Sequence, residues 1–341
     1  LVVGGGAGFM GGVDPRITLA LRHGANYIDT ARKYAGGASE RNAGAALAKL
    51  KARDATWITS KTPQWSAAGL KQDVAFSLAA LQTNRIDLYF LHGLDQMGPL
   101  DDKELIKAAE QLKREKKIRF FGFSCHGGNV VELLNAAAQR SFVDAVMFRY
   151  NFRDYGDKEL NRAIDAAHKA GVGLIAMKTQ GSESGFRDAW TKFEQTGKWN
   201  KHQAVLKAVW ADQRITAAVS HMETTTQLRE NLAAALDGKP LGLRDTEAVE
   251  RYARLTRAYA CQGCEHLCNP HVTAPVRIGT TLRCLMYHDS YGDGEKARRV
   301  FRELPSEARQ FAGVDFDGAS RACPHGIDIA AQMQRAAELF A

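Results

Sequence analysis

The stretch Tyr27-Ile28-Asp29-Thr30-Ala31-Arg32-Lys33-Tyr34 closes a short apolar run on Asp29 and leads into a turn that holds Tyr34. Two later segments, Trp57-Ile58-Thr59-Ser60-Lys61 and Ile86-Asp87-Leu88-Tyr89-Phe90-Leu91-His92, end the same way. Each closes on one ionisable side chain, and the three recur at intervals of about thirty residues, the length of a βαβ unit. Working outward with the same pattern, strands are expected at residues 1–5, 26–29, 57–61, 86–91, 118–124, 145–149, 173–177 and 217–219. Amphipathic stretches lie between them. Asp14-Pro15 fits a helix N-cap and first turn, Gly24 closes that helix, and further helices start near residues 39, 66, 101, 129, 157, 201 and 224.

Eight strand–helix units in about 240 residues is the size of one (β/α)8 TIM barrel. An open doubly wound sheet would carry its glycine fingerprint between the first strand and a helix. Gly4-Gly5-Gly6-Ala7-Gly8-Phe9-Met10-Gly11-Gly12 is glycine-rich with the wrong spacing, and reads as a flexible loop over the barrel mouth. After Asp237-Gly238-Lys239-Pro240 the pattern changes to helices near 246–259, 277–287, 295–304 and 327–340 without strands between them. The expected organisation is an α/β barrel over residues 1–238 and a helical, cysteine-containing appendage over 239–341.

Apolar residues make up 45% of the chain and charged residues 25%, the balance of a globular protein. The net charge of +8 is dispersed rather than gathered into a basic stripe, which argues against a nucleic-acid partner. No apolar run reaches the length of about eighteen residues that a membrane helix needs, so no membrane insertion is expected. Leu1 already opens a strand, which suggests that residues once preceded it, a signal peptide being one form they could take.

In such a barrel, chemistry sits at the C-terminal ends of the strands, where Asp29, Lys61 and His92 fall. With Tyr34 they suggest carbonyl reduction with the phenol as general acid/base. A free tyrosine titrates near pH 10, so the Lys61 ammonium is expected to lower the phenol, with Asp29 holding Lys61 and His92 orienting the substrate oxygen. Arg32, Arg149 and Lys178 fall near the same rim and favour an acidic or multiply hydroxylated small-molecule substrate.

These segments resemble the aldo/keto reductase superfamily. The resemblance rests on Ile28-Asp29-Thr30-Ala31 with Tyr34 and Ser39-Glu40, Thr59-Ser60-Lys61, Asp87 to His92, Gly122-Phe123-Ser124, Tyr150-Asn151, and Gln227-Leu228-Arg229-Glu230-Asn231. It implies a catalytic set of Asp29, Tyr34, Lys61 and His92 and a cofactor, NADP or NAD, bound without a Rossmann domain. Ser124, Asn151, Ser220, Gln227, Glu230 and Asn231 are the cofactor-binding residues it implies. There are departures. Cys125 and Met147 stand where relatives often place amides for the nicotinamide, Met177-Lys178-Thr179 lacks the usual stacking aromatic, and Glu223 would repel a 2′-phosphate.

Five of the six cysteines follow Ala260. Cys261-x2-Cys264-x3-Cys268, joined by a remote Cys323-Pro324, suits one iron–sulfur cluster of the [4Fe–4S] type; structural zinc and disulfides are the alternatives. The pattern resembles the ferredoxin-like extension of some aldo/keto reductases, several of which carry twin-arginine export signals. That resemblance implies the periplasm, with the cytoplasm as the alternative, and an electron-transfer partner if the cluster is redox-active. The expected function is hydride transfer between a nicotinamide cofactor and a carbonyl or alcohol. Two rivals stand beside it: an acid/base lyase or epimerase on the same barrel, and an iron–sulfur redox or binding protein without barrel catalysis.

Overall fold

The computed structural model describes residues 2–4, 14–126, 129–181, 192–195 and 197–340. Eight parallel strands close into one barrel: β1 (Val2–Gly4), β2 (Tyr27–Asp29), β3 (Trp57–Thr62), β4 (Ile86–Leu91), β5 (Ile118–Cys125), β6 (Ala145–Arg149), β7 (Gly173–Met177) and β8 (Ala217–Ser220). The ring closes where Val3 of β1 registers with both Ile28 and Ser220. The glycine-rich loop after β1 lies outside the described residues.

Among the described residues, eight helices of at least eight residues follow or connect the strands: α1 (Pro15–Arg22), α2 (Ala38–Leu50), α3 (Ala67–Ala80), α4 (Lys103–Arg114), α5 (Val130–Ala138), α6 (Lys158–Lys169), α7 (Lys201–Ala211) and α8 (Thr225–Leu236). Their starts are encoded locally. Asp14, Ser66, Asp102 and Asp157 each accept a first-turn backbone N–H, satisfying donors that the helix itself leaves orphaned. Leu88, Phe90, Ala145, Met147, Ile175 and Met177 fill the barrel interior. Gly122 on β5 is required by close approach, because a Cβ there would stand 1.9 Å from the Ala145 carbonyl oxygen.

Beyond the barrel, α9 (Leu243–Leu255) packs Val249 and Tyr252 with Phe152, Trp199 and Val205 on the barrel's flank. The helices α10 (Ile278–Tyr291), α11 (Gly294–Arg302) and α12 (Ile329–Phe340) build a second core around Leu282, Leu285, Phe301, Phe311, Met333 and Phe340. Cys284 is buried in that core. This helical region is tied to the barrel mouth: Arg153, after β6, donates to the Thr256 carbonyl at 3.1 Å and to its hydroxyl at 2.9 Å. No helix among the described residues is long and apolar enough to cross a membrane.

Candidate active site

Asp29 ends β2, and the chain turns at once into a one-turn helix at Tyr34–Gly37, with Ala35, Gly36 and Gly37 at φ of 50°, 57° and 85°. Two glycines make this left-handed turn affordable, and it swings Tyr34 back over the strand end. The turn is held from outside the barrel. Ser39 shares a 2.7 Å hydrogen bond with Thr30, and the Ser60 hydroxyl donates to the buried Glu40 at 2.6 Å. The Ser39-Glu40 pair is therefore a strut for the tyrosine turn.

Lys61 is fully buried near the end of β3, and its ammonium donates to both oxygens of Asp29 at 2.6 and 2.7 Å and to the Thr30 carbonyl at 2.9 Å. Its nitrogen lies 5.2 Å from the centre of the Tyr34 ring. The His92 ring meets Tyr34 edge-on, 5.6 Å between centroids and 81° between planes. Side chains from four separate positions along the chain thus occupy one small volume.

The electrostatics differ from the expectation in one respect. Burial is the largest influence on Tyr34 and pushes its phenol upward, with Asp29, Tyr287 and Tyr291 adding to the rise. Lys61 is not among the influences on the phenol, and Asp29 and the Thr30 carbonyl take all three donors of its ammonium. Burial raises the Asp29 carboxyl and lowers the Lys61 ammonium, each opposed by the charge of the other. Burial, with Lys61 and Lys33 nearby, lowers His92 to about 3, so its ring is neutral at physiological pH. Tyr34 is consequently a phenol that keeps its proton, beside a neutral imidazole and a buried ion pair.

A model of the aldo/keto reductase family matches residues 13–243. The chain belongs to this family. Its members are NAD(P)-dependent oxidoreductases. An uncharacterized oxidoreductase of Bacillus subtilis is 27% identical over 271 residues, 69% of this chain and 85% of its own length. L-galactose dehydrogenase of Arabidopsis thaliana is 25% identical over 253 residues, 66% and 78% of the two chains. Among solved structures, an aldo-keto reductase of Klebsiella pneumoniae in complex with NADPH superposes with a TM-score of 0.57 at 25% identity, covering 73% of this chain and 89% of that one. The family match ends at residue 243, before α10 to α12.

The other residues singled out in the sequence fall into two groups. Ser124, Asn151, Ser220 and Asn231 are buried at or just beyond the strand ends. Ser124 accepts the Gly93 N–H at 3.0 Å. Ser220 donates to Gln180 at 2.8 Å and accepts from Asn231 at 3.0 Å, which places those side chains in one network. Gln227, in contrast, completes a capping box with Thr224 at the start of α8, its carbonyl accepting the Glu223 and Thr224 N–H groups at 2.7 and 3.2 Å. Glu230 is half-buried, and its backbone carbonyl accepts from Gln203 at 2.8 Å. Arg32 faces away from the mouth, paired with Glu40 and Asp73 and lying over Phe76, while Arg149 and Lys178 do reach the mouth.

Tyr287 and Tyr291 were not among the residues expected at the site. Both stand near the Tyr34 phenol, and Lys178 donates to the Tyr291 hydroxyl at 2.9 Å. The signal is their spacing from Arg283: residues 283, 287 and 291 are four apart and share one face of α10. The four remote cysteines also influence one another. Burial comes first and the neighbouring thiols second in pushing Cys264 and Cys268 up to about 12, and Cys261 and Cys323 act on both. Among the described residues, no group of three or more His, Cys, Asp or Glu is placed to hold a metal ion.

Proposed function

We propose that this chain reduces a carbonyl compound with Tyr34 as proton donor and a nicotinamide dinucleotide as hydride source. The observation that carries the reading is the buried Asp29–Lys61 pair set against Tyr34, with the neutral His92 ring on the phenol's other side. The dinucleotide, NADP or NAD, supplies the hydride when bound. The chain's own residues do the rest. His92 orients the substrate oxygen, and the protonated Tyr34, with the Asp29-held Lys61 against its ring, gives that oxygen its proton. A raised phenol suits the reductive direction, because the acid is charged with its proton at neutral pH.

The donor set fits a dinucleotide: Ser124, Asn151, Ser220 and Asn231 offer buried polar atoms along the ends of β5, β6 and β8. Gln227 and Glu230 support that region through the start of α8 and the α7–α8 contact. The Klebsiella pneumoniae relative in complex with NADPH supports the same assignment. Calorimetric titration with NADPH and NADH tests it directly. Binding of at least one with a Kd of about 1 μM to 1 mM is expected, and failure of both to bind sinks the hydride-transfer reading.

We also infer that residues after 238 form an extension, its first helix α9 laid against the barrel, that carries one iron–sulfur cluster on Cys261, Cys264, Cys268 and Cys323. The sequence spacing and the mutual electrostatic influence of these thiols support it. Bare thiols raised to about 12 keep their protons, so ligation must supply the free energy of deprotonation. Anaerobically purified protein is expected to contain iron and acid-labile sulfide at about four of each per chain, with both lost in Cys264→Ser. Stoichiometric zinc without iron would reverse the assignment.

A further inference from the structure

Between the barrel mouth and the extension lies a cavity of about 690 Å³, within the range of small-molecule sites. Its wall carries Arg149 from the end of β6, Lys178 just beyond β7, and Arg283 and Arg335 from α10 and α12. Asp289 is the one acid among the described lining residues. It is already engaged, accepting from Arg335 at 2.7 and 2.6 Å and meeting His288 at 2.9 Å. Arg149, Lys178 and Arg283 therefore give the cavity a surplus of positive charge, and a cleft walled by one sign of charge in a low-dielectric surround concentrates the opposite sign.

The hydrogen bonding points the same way. The Arg283 Nε is buried without a hydrogen-bond partner among the described residues. Leaving a buried charged donor unmet is costly, and a planar guanidinium is built to meet a carboxylate or phosphate in two bonds. Lys178 spends one donor on Tyr291 and has two left. Arg149 is the most anchored of the three, donating to the Cys261 carbonyl. His126 also lines the cavity and feels Arg283, Lys178, His92 and Arg149. His92 and Tyr34 adjoin this group through His126 and Tyr291.

We propose that this cavity takes the carboxylate or phosphate of a small anionic substrate, gripped by Arg283 and Lys178, and presents its carbonyl to Tyr34. The proposal rests on the reductase reading for the carbonyl, but the anion site stands on its own geometry. Arg283 lies outside residues 13–243 and Lys178 inside them, so the extension and the family barrel share the grip on the anion while the barrel supplies the acid.

The test is calorimetric titration of the full-length holoprotein with inorganic phosphate and with malonate, each with and without saturating NADPH. At least one anion is expected to bind. Its Kd should weaken about tenfold or more in Arg283→Gln, recover in Arg283→Lys, and stay unchanged in Tyr34→Phe and in the presence of NADPH. If Arg283→Gln does not fold, Lys178→Gln carries the same expectation. Absence of binding by both anions, or an unchanged Kd in the charge-removing variant, overturns the proposal. Displacement of the anion by NADPH also overturns it, by assigning the cations to the dinucleotide. Because Tyr34→Phe keeps the anion site, loss of the catalytic reading and loss of this one are separable.

Discussion

Tyr34→Phe is expected to lower kcat for aldehyde reduction by about 10²- to 10⁴-fold, the usual contribution of a positioned general acid, while leaving NADPH affinity within about twofold of the parent. The substitution removes one oxygen and keeps the ring, so the edge-on contact with His92 at 5.6 Å and the Lys61 approach at 5.2 Å survive. What is lost is the proton that burial and Asp29 hold on the phenol. No substitute stands ready: His92 is lowered to about 3 and is neutral, and every donor of Lys61 is committed to Asp29 and Thr30. Stopped-flow oxidation of NADPH with a panel of aldehydes measures the effect, and a variant that turned over at the parental rate would remove Tyr34 from the chemistry. The loss should fall on kcat with KM little changed, since the proton is needed in the transition state and hardly at all for binding.

The barrel was legible because a parallel strand buried on both faces reads as a continuous apolar run. Ile86–Leu91 begins and ends where that run does, and β6 and β7 do likewise. Asp29 and Lys61 were legible for the same reason, as polar side chains closing such runs, and His92 follows directly on one. Local chemistry hid less than it seemed to at Gln227. Thr224-x-x-Gln227 is a capping-box pattern that can be read without a structure. Two things were not available along the chain. Arg283, Tyr287 and Tyr291 mark one face of a helix, but only the fold of the extension turns that face toward Tyr34. The fate of the Lys61 charge likewise depended on three acceptors, and a backbone carbonyl at residue 30 leaves no trace in a side-chain pattern.

Lys61→Met should cost about 3–5 kcal/mol of stability, the penalty for stranding one partner of a buried ion pair. Asp29 is 3% exposed, and without the ammonium at 2.6 Å nothing among its hydrogen-bond partners carries positive charge. The stranded carboxyl escapes by taking a proton, which fixes the pH dependence. Its folded-state pKa, already raised by burial, rises further once Lys61 no longer opposes that rise. A carboxyl raised in the folded state contributes stability below its unfolded value of about 4 and loses it as pH climbs through the folded value. The variant should therefore lie close to the parent near pH 4 and fall away toward neutrality. Adding Asp29→Asn to Lys61→Met removes the charge and should recover most of the loss at pH 7, so urea unfolding of the four proteins at both pH values gives a coupling energy that shrinks in acid. A loss that is the same at both pH values, or that Asp29→Asn does not relieve, would mean that packing of the lysine stem is what the barrel end requires and that the charge pair is incidental to stability.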